Sequence, residues 1–166
     1  MYAMPNNDLE EATPWLDSGE QQVWRRWLVA TAQLYRYLDE GLRPHGIDLA
    51  EYDVLVHLSE AEDHRLRMGE LAGQVHLSRS RLTHTVSRME SQGVVLRRTA
   101  SHDRRGVVAV LTDEGMALIE SVAAHHVRAV RRAFIDAIGR KDLMVIDRSM
   151  AAVIAATDPA SGPPDH

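Results

Sequence analysis

The sequence contains no cysteine, which excludes disulfide bonds, thiolate metal sites and a cysteine-based redox sensor. It has a single lysine, Lys141, and only eight aromatic residues. No run of about 18 apolar residues occurs, so the sequence predicts no transmembrane helix and no membrane partner. The start of the chain is polar and acidic, without the basic and apolar regions of a secretory signal. We therefore expect a cytoplasmic protein.

Motifs of common enzymes are also missing. The sequence has no Gly-rich phosphate loop, no Gly-x-Ser-x-Gly elbow and no paired histidines at the spacing of metal ligands. His125 and His126 are adjacent and therefore point to different faces of a helix, whereas two ligands on one helix are three or four residues apart. We predict that the protein is not an enzyme and has no catalytic residue, metal site or cofactor.

The charge that is present is unevenly distributed. The net charge is −5, but residues 65–105 hold nine arginines against three acidic residues, so this segment carries +6 and the remainder −11. Arginine forms forked hydrogen bonds with phosphates and guanine edges, so such a cluster is typical of a nucleic-acid-binding surface. A solvated basic face that balances an acidic one would give the same count, and charge alone leaves both interpretations open.

A period of 3.6 residues dominates the middle of the chain. The ends, residues 1–19 and 157–166, are rich in Pro, Gly and Asn or Asp and predict a flexible arm and a disordered tail. Helices are predicted at 20–42, 49–60, 68–75, 78–92, 112–137 and 142–156. Short β-branched segments at 94–98 and 107–111 predict a hairpin with a long arginine-rich tip, TASHDRRG.

This order predicts a mainly α fold with a small β-hairpin wing. The helices at 68–75 and 78–92 form a helix-turn-helix, in which the first helix braces the second and the second enters the major groove. We expect a single domain at 20–156. Its winged helix-turn-helix lobe covers 46–111, and its dimerisation helices lie at 20–45 and 112–156.

The outward face of the helix at 78–92 is the candidate DNA-reading surface. It contains short donors and acceptors together with arginine, and residues 78–89 include no acid. The candidate DNA-binding residues on this helix are Ser78, Arg79, Ser80, Arg81, Thr83, His84, Ser87 and Arg88. The wing adds Asp103, Arg104 and Arg105, since a narrow minor groove attracts arginine.

The sequence resembles the MarR family of bacterial transcriptional regulators over roughly 20–156. The motifs that carry the resemblance are ELA at 70–72, LSRSRLTHTVSRMESQGVVLRR at 77–98, DRRG at 103–106 and LTDEG at 111–115. The resemblance implies a homodimer that binds a pseudo-palindromic operator in double-stranded DNA, usually as a repressor. It also implies that Arg105 enters the minor groove and that Arg104 contacts phosphate or pairs with Asp103.

Many members of that family release DNA on binding a small aromatic acid, which makes a small aromatic or phenolic acid the candidate effector here. Trp24, Trp27 and Tyr35 on the first helix could stack on such a ligand. Aromatic residues at helical spacing are more often the core of a dimer, and the sequence does not decide between the two. A winged-helix module that binds an acidic protein instead of DNA is a further alternative.

Overall fold

The structure, a computed structural model, describes residues 14–100 and 103–158, and at residues 100 and 103–105 it describes the backbone alone. The helices are α1 (Ser18–Leu42), α2 (Leu49–Glu60), α3 (Met68–Gln74), α4 (Arg79–Ser91), α5 (Asp113–Val130) and α6 (Arg140–Thr157). The strands are β1 (Arg65–Arg67), β2 (Val95–Ala100) and β3 (Asp103–Leu111). This mainly helical fold with a small antiparallel sheet confirms the predicted fold class.

The chain divides into two compact units, the first ending at Gln33 and the second beginning at Leu34, within α1. In the first unit, α1 starts at a reciprocal cap. The Glu20 N–H donates to Asp17 Oδ1 at 2.9 Å, and the Asp17 N–H donates to Glu20 Oε2 at 2.8 Å. The helix therefore begins at Ser18, and the predicted flexible arm at 1–19 extended two residues too far.

The second unit contains a hydrophobic core to which α2, α3, α4, α5 and the sheet contribute. The largest fully buried side chains include Leu42, Leu55, Leu58, Leu71 and Leu82. The apolar positions of α2 and α4 that the 3.6-residue period assigned inward are all buried. The predicted bounds of α2, 49–60, are confirmed.

The sheet has three strands in the order β1-β3-β2, all antiparallel. Thr99 pairs with Val107, and Ala100 pairs with Asp103 after an irregularity in the register. The backbone of Asp103–Gly106 is therefore part of β3, and the prediction that TASHDRRG forms a long tip was wrong. Strand β1 was not predicted either; its Leu66 pairs with Ala109.

Helix α5 ends in an irregular turn before α6. The segment Arg131–Ile135 is a π-helix, in which the Asp136 N–H donates to the Arg131 carbonyl at 2.7 Å. Gly139 then precedes α6, which starts at Arg140 and ends at Thr157, two residues earlier and one later than predicted. Within the described residues, no helix combines the length and apolar character needed to cross a bilayer.

Candidate nucleic-acid interface

Helix α4 presents one apolar face to the core and one polar face to solvent. Leu82, Val86 and Met89 are fully or almost fully buried, as the sequence predicted. The Ser78 side chain accepts a hydrogen bond from the Arg81 N–H at 3.2 Å, which confirms the predicted N-cap. Because the inner face is held by packing and the start by a cap, the direction of the outer face is defined.

The turn between α3 and α4 sets the angle at which α4 leaves the core. The Val75 N–H donates to the Leu71 carbonyl and the Leu77 N–H to the Ala72 carbonyl, each at 3.0 Å. His76 sits in the turn with φ of 52°, in the left-handed region. Ala72 is buried, in agreement with the small residue predicted at the crossing of the two helices.

The outer face of α4 contains the predicted reading residues. All eight candidates on this segment are exposed: Ser78, Arg79, Ser80, Arg81, Thr83, His84, Ser87 and Arg88. Thr83 donates its hydroxyl to the Arg79 carbonyl at 2.8 Å, which leaves oxygen lone pairs free to accept. Among the described residues, no acidic side chain contacts Arg79 or Arg81. These two guanidinium groups are available to an external anion.

Arg88 differs from the other candidates because its guanidinium is already bound. Its Nε donates to Glu51 Oε1 at 3.0 Å, and its terminal nitrogen lies 2.6 Å from Asp48 Oδ2. The hydrogen bond to Glu51, more than the nearby charges, raises the pKa of Arg88. The sequence could not reveal these contacts, since the partners lie 37 and 40 residues away along the chain.

A second ion pair joins the end of α4 to the sheet. Glu90 accepts from the Arg97 backbone N–H at 2.8 Å and from the Arg97 Nε at 2.7 Å. These bonds, chiefly the one from the side chain, lower the pKa of the Glu90 carboxyl below its usual value. The wing is therefore attached to the same helix that carries the candidate reading face.

The wing presents one arginine that the sequence did not single out. Arg98 follows Arg97 on β2, is exposed and makes no ion pair with any described residue. The alternation of a strand could have found it, because Arg97 turns toward Glu90 and its neighbour must point the other way. For the predicted wing residues, Asp103, Arg104 and Arg105, the structure places the backbone in β3, and their side chains lie outside its description.

The motif LTDEG attaches α5 to the end of α4. Thr112 caps α5 by accepting from the Gly115 N–H at 3.0 Å, and its hydroxyl donates to the Gly93 carbonyl at 2.8 Å. A Cβ on Gly115 would lie 2.2 Å from the Val94 carbonyl oxygen. Glycine is needed here because the first turn of α5 approaches the chain before β2 too closely for a side chain.

The comparisons with known proteins agree with this architecture. A family model described as the MarR family matches residues 47–107. The solved structure of AbsC from Streptomyces coelicolor, described as a MarR family transcriptional regulator, is 40% identical, covers 86% of this chain and 97% of AbsC, and has a TM-score of 0.83. The chain belongs to the MarR family. This family assignment confirms the resemblance seen in the sequence motifs.

Two further relatives are a DNA-bound regulator and a repressor. Sco3205 from S. coelicolor, a MarR family regulator solved in complex with DNA, is 38% identical, covers 90% of this chain and 98% of Sco3205, with a TM-score of 0.85. The HTH-type transcriptional repressor YetL of Bacillus subtilis is 25% identical over 111 residues, which is 67% of this chain. The chain spans about half to two thirds of the length of the curated relatives it matches. The family supports DNA-binding transcription regulation by a winged helix-turn-helix protein.

The candidate effector residues are exposed. Trp24 and Trp27 belong to the first unit, and Tyr35 belongs to the second. Tyr35 lines a groove of about 760 Å³ together with three arginines and three aspartates: Arg36, Arg43, Arg81, Asp39, Asp48 and Asp53. Of these arginines, Arg43 pairs with Asp39 at 2.8 Å. Within the ranges the structure describes, no group of three or more His, Asp or Glu side chains is arranged to hold a metal ion. His125 and His126 face different rings, His45 and Tyr52 respectively, as their adjacency predicted.

Proposed function

We propose that this MarR-family regulator is a homodimeric repressor that reads a pseudo-palindromic operator in double-stranded DNA. The observation that carries the proposal is the outer face of α4. It combines Arg79 and Arg81, which pair with no acidic side chain that the structure describes, with the short polar side chains of Thr83, His84 and Ser87. Arginines bind phosphate and guanine, and short side chains allow the helix to approach base edges closely. The wing, with Arg98 exposed and Arg105 in β3, is proposed to lie against the adjacent minor groove.

A second copy of the chain is proposed as the partner of the terminal helices. No residue of α6 is buried, although this helix carries Met144, Val145, Val153 and Ile154 with exposed side chains. A helix with so much apolar surface needs a partner for burial. Twofold symmetry would place two α4 helices on half-sites about one helical turn of DNA apart.

The direct test is fluorescence anisotropy with duplexes that cover the DNA flanking the gene, at several salt concentrations. For Z phosphate contacts, log K is expected to fall against log salt with a slope of about −0.9Z. Replacing Thr83 with Ala is expected to change base preference by about 1–3 kcal/mol at one position of each half-site. Arg105→Ala is expected to weaken binding of all sequences, and Arg140→Ala serves as the matched control at the start of α6.

An absence of binding to any duplex at low salt would contradict this proposal and favour the alternative of a winged-helix module that docks on an acidic protein. Unchanged affinity in Arg105→Ala would contradict only the part of the proposal that concerns the wing. If sequence preference survived Thr83→Ala and His84→Ala, a different surface would read the bases.

A small aromatic or phenolic acid is proposed as the effector. The groove beside Tyr35 supports this class, because an aromatic ring can stack on Tyr35 while Arg36 or Arg81 binds the carboxylate. Arg81 also belongs to the reading face, so a ligand on it would compete with DNA. The test is release of labelled operator by salicylate, which Tyr35→Ala should abolish and which benzyl alcohol, lacking the carboxylate, should not produce. Release by both compounds alike would contradict the ionic part of this proposal.

A further inference from the structure

The side chains of Arg88, Glu51 and Asp48 form a polar seam between α4 and the start of α2. We propose that Arg88 is a positioning residue, which sets the orientation of α4 by binding Glu51 and Asp48. The two carboxylates are therefore needed for high operator affinity, although they carry the charge that DNA repels. This inference rests on the proposed function, because it concerns operator binding by the same helix.

The geometry of the seam is that of a two-point attachment. The planar guanidinium of Arg88 uses its Nε for Glu51 and a terminal nitrogen for Asp48, so its plane as well as its position is defined. The side chain of Glu51 is only 4% exposed, whereas that of Arg88 is 54% exposed. The attachment therefore runs from a buried anchor on α2 to the solvent edge of α4.

Glu51 can act as an anchor because each of its oxygens has a separate partner. Oε2 accepts the Asp48 backbone N–H at 2.9 Å, and Asp48 Oδ1 in return accepts the Glu51 N–H at 2.8 Å, which forms a capping box. Oε1 is left for Arg88. Replacing Glu51 by glutamine would retain one acceptor oxygen and would place a donor where the second acceptor is required.

The start of α2 is itself held in place from α1 and from the end of α4. Asp39 accepts the Leu49 N–H at 3.0 Å, and this bond, its largest influence, lowers the pKa of the Asp39 carboxyl. The side-chain amide of Gln92 donates to the Gly46 carbonyl at 3.4 Å, a second and weaker link from α4 to the same segment. The orientation of α4 is therefore fixed relative to the segment that joins α1 to α2.

The direction of the change in operator affinity distinguishes positioning from simple electrostatics. Removing the charge of Asp48 or Glu51 makes the protein more positive and frees Arg88 for phosphate, so electrostatics alone predicts tighter binding of DNA. Positioning predicts weaker binding, since the outer face of α4 would no longer be held in one orientation. The two explanations therefore predict changes of opposite sign from the same substitution.

The experiment measures operator affinity by fluorescence anisotropy for the full-length wild-type chain, Glu51→Gln, Asp48→Asn and Arg88→Lys. Each of these variants is expected to bind about tenfold more weakly, equivalent to about 1.4 kcal/mol. Arg88→Lys leaves the capping box of α2 intact and retains the positive charge, so it remains informative if either carboxylate variant fails to fold. Thermal melting by circular dichroism gives the temperature at which all measured variants are folded.

Glu60→Gln is the matched control, because Glu60 is an exposed carboxylate at the far end of the same helix. It makes the same change in charge and is expected to bind as tightly as the wild type or slightly more tightly. Suppose that the wild type binds the operator and that Glu51→Gln and Arg88→Lys both bind at least as tightly as Glu60→Gln. That result would overturn the positioning role and leave the proposed function standing. A wild-type chain that binds no duplex would instead overturn operator binding itself.

Discussion

Gly115 and His126 show how single residues of α5 are constrained by their neighbours. At Gly115 the constraint is steric, since the space for a Cβ is occupied by the Val94 carbonyl oxygen and by Leu111. At His126 it is electrostatic. The ring packs on Tyr52 with centroids 4.2 Å apart, and its Nδ1 is buried without a hydrogen-bond partner among the described residues.

Replacing Gly115 with Ala is expected to reduce the free energy of unfolding by about 1–3 kcal/mol, because the added methyl must displace backbone. Urea denaturation followed by circular dichroism measures the change. Gly69→Ala is the matched control, since nothing lies within 4 Å of a Cβ added at that position of α3. Equal stability of the two variants would contradict the steric explanation.

The stability of the protein is expected to fall as the pH is lowered from 7.5 to 5.5, in part because of His126. Burial, the largest influence, lowers the pKa of His126, and Asp53 opposes this with a smaller effect. The unfolded chain, with a histidine pKa of about 6.5, therefore takes up the proton first, which favours unfolding. The contribution of His126 is complete above that value and is lost as the pH falls toward the folded-state pKa.

His126→Phe, which retains a ring beside Tyr52, should lose less stability than the wild type over this interval. The measurement is the free energy of unfolding from urea titrations at pH 7.5, 6.5 and 5.5. His84→Gln, which removes an exposed histidine from α4, is the control for the change in histidine number. An identical pH dependence in His126→Phe and the wild type would show that burial of this ring does not couple folding to protonation.

At the scale of the elements, α4 is the part to which the others are attached. Arg88 joins it to α2, Glu90 joins it to β2, and the turn after it accepts the hydroxyl of Thr112 at the start of α5. Short-range patterns predicted where α4 begins and which face is buried. They could not predict these attachments, because each pairs residues that are distant in sequence or combines a backbone group with a side chain.

The ion pair between Glu90 and Arg97 is expected to contribute about 1 kcal/mol to stability, since both side chains are partly exposed to water. Glu90→Gln should lower the melting temperature and weaken operator binding, because the wing would be held less firmly to α4. Circular dichroism and anisotropy measure the two effects. The control is Glu120→Gln, which replaces an exposed carboxylate on α5. A Glu90→Gln variant with the same melting temperature and the same operator affinity as this control would contradict the attachment of the wing.

The two errors in the wing have different physical causes. The polar residues Thr99 and Asp103 resemble a loop in composition, yet the backbone of β2 and β3 pairs through them, at Thr99–Val107 and Ala100–Asp103. Strand pairing is made by backbone groups, so a polar composition does not prevent it. Strand β1 has three residues, too few for a period of two to be recognised. Helix α2, by contrast, has a capping box and twelve residues of regular pattern, and its bounds were predicted correctly.

At the scale of the whole molecule, the exposed apolar surface of α6 is the basis for the proposed second copy. Ile154 is 68% exposed and Met144 is 63% exposed. Neighbouring apolar side chains with this exposure are typical of a surface that binds another protein. The sequence indicated this helix as part of a dimerisation region, and its exposed apolar side chains are consistent with that prediction. What the sequence did not indicate is that none of its residues would be buried within the chain itself.

Ile154→Glu is expected to shift the protein from dimer to monomer, because a buried unpaired charge at the interface is costly. Sedimentation velocity measures the change in mass from twice to once 18.6 kDa. Ala152→Glu is the control, since a residue two positions away lies on the opposite side of a helix with 3.6 residues per turn. A dimeric Ile154→Glu variant, or a wild-type chain that is a monomer at micromolar concentration, would contradict the assignment.

In genetic terms, the π-helix at Arg131–Ile135 corresponds to one codon more than a regular α-helical turn needs. A π turn holds one residue more than the α turn it replaces, so every residue after it is rotated about the helix axis by roughly a third to a quarter of a turn. Loss of a single codon in this segment would restore a regular helix without interrupting the chain. The residues of α4 lie outside this segment, so such a deletion would leave every residue of the reading face unchanged.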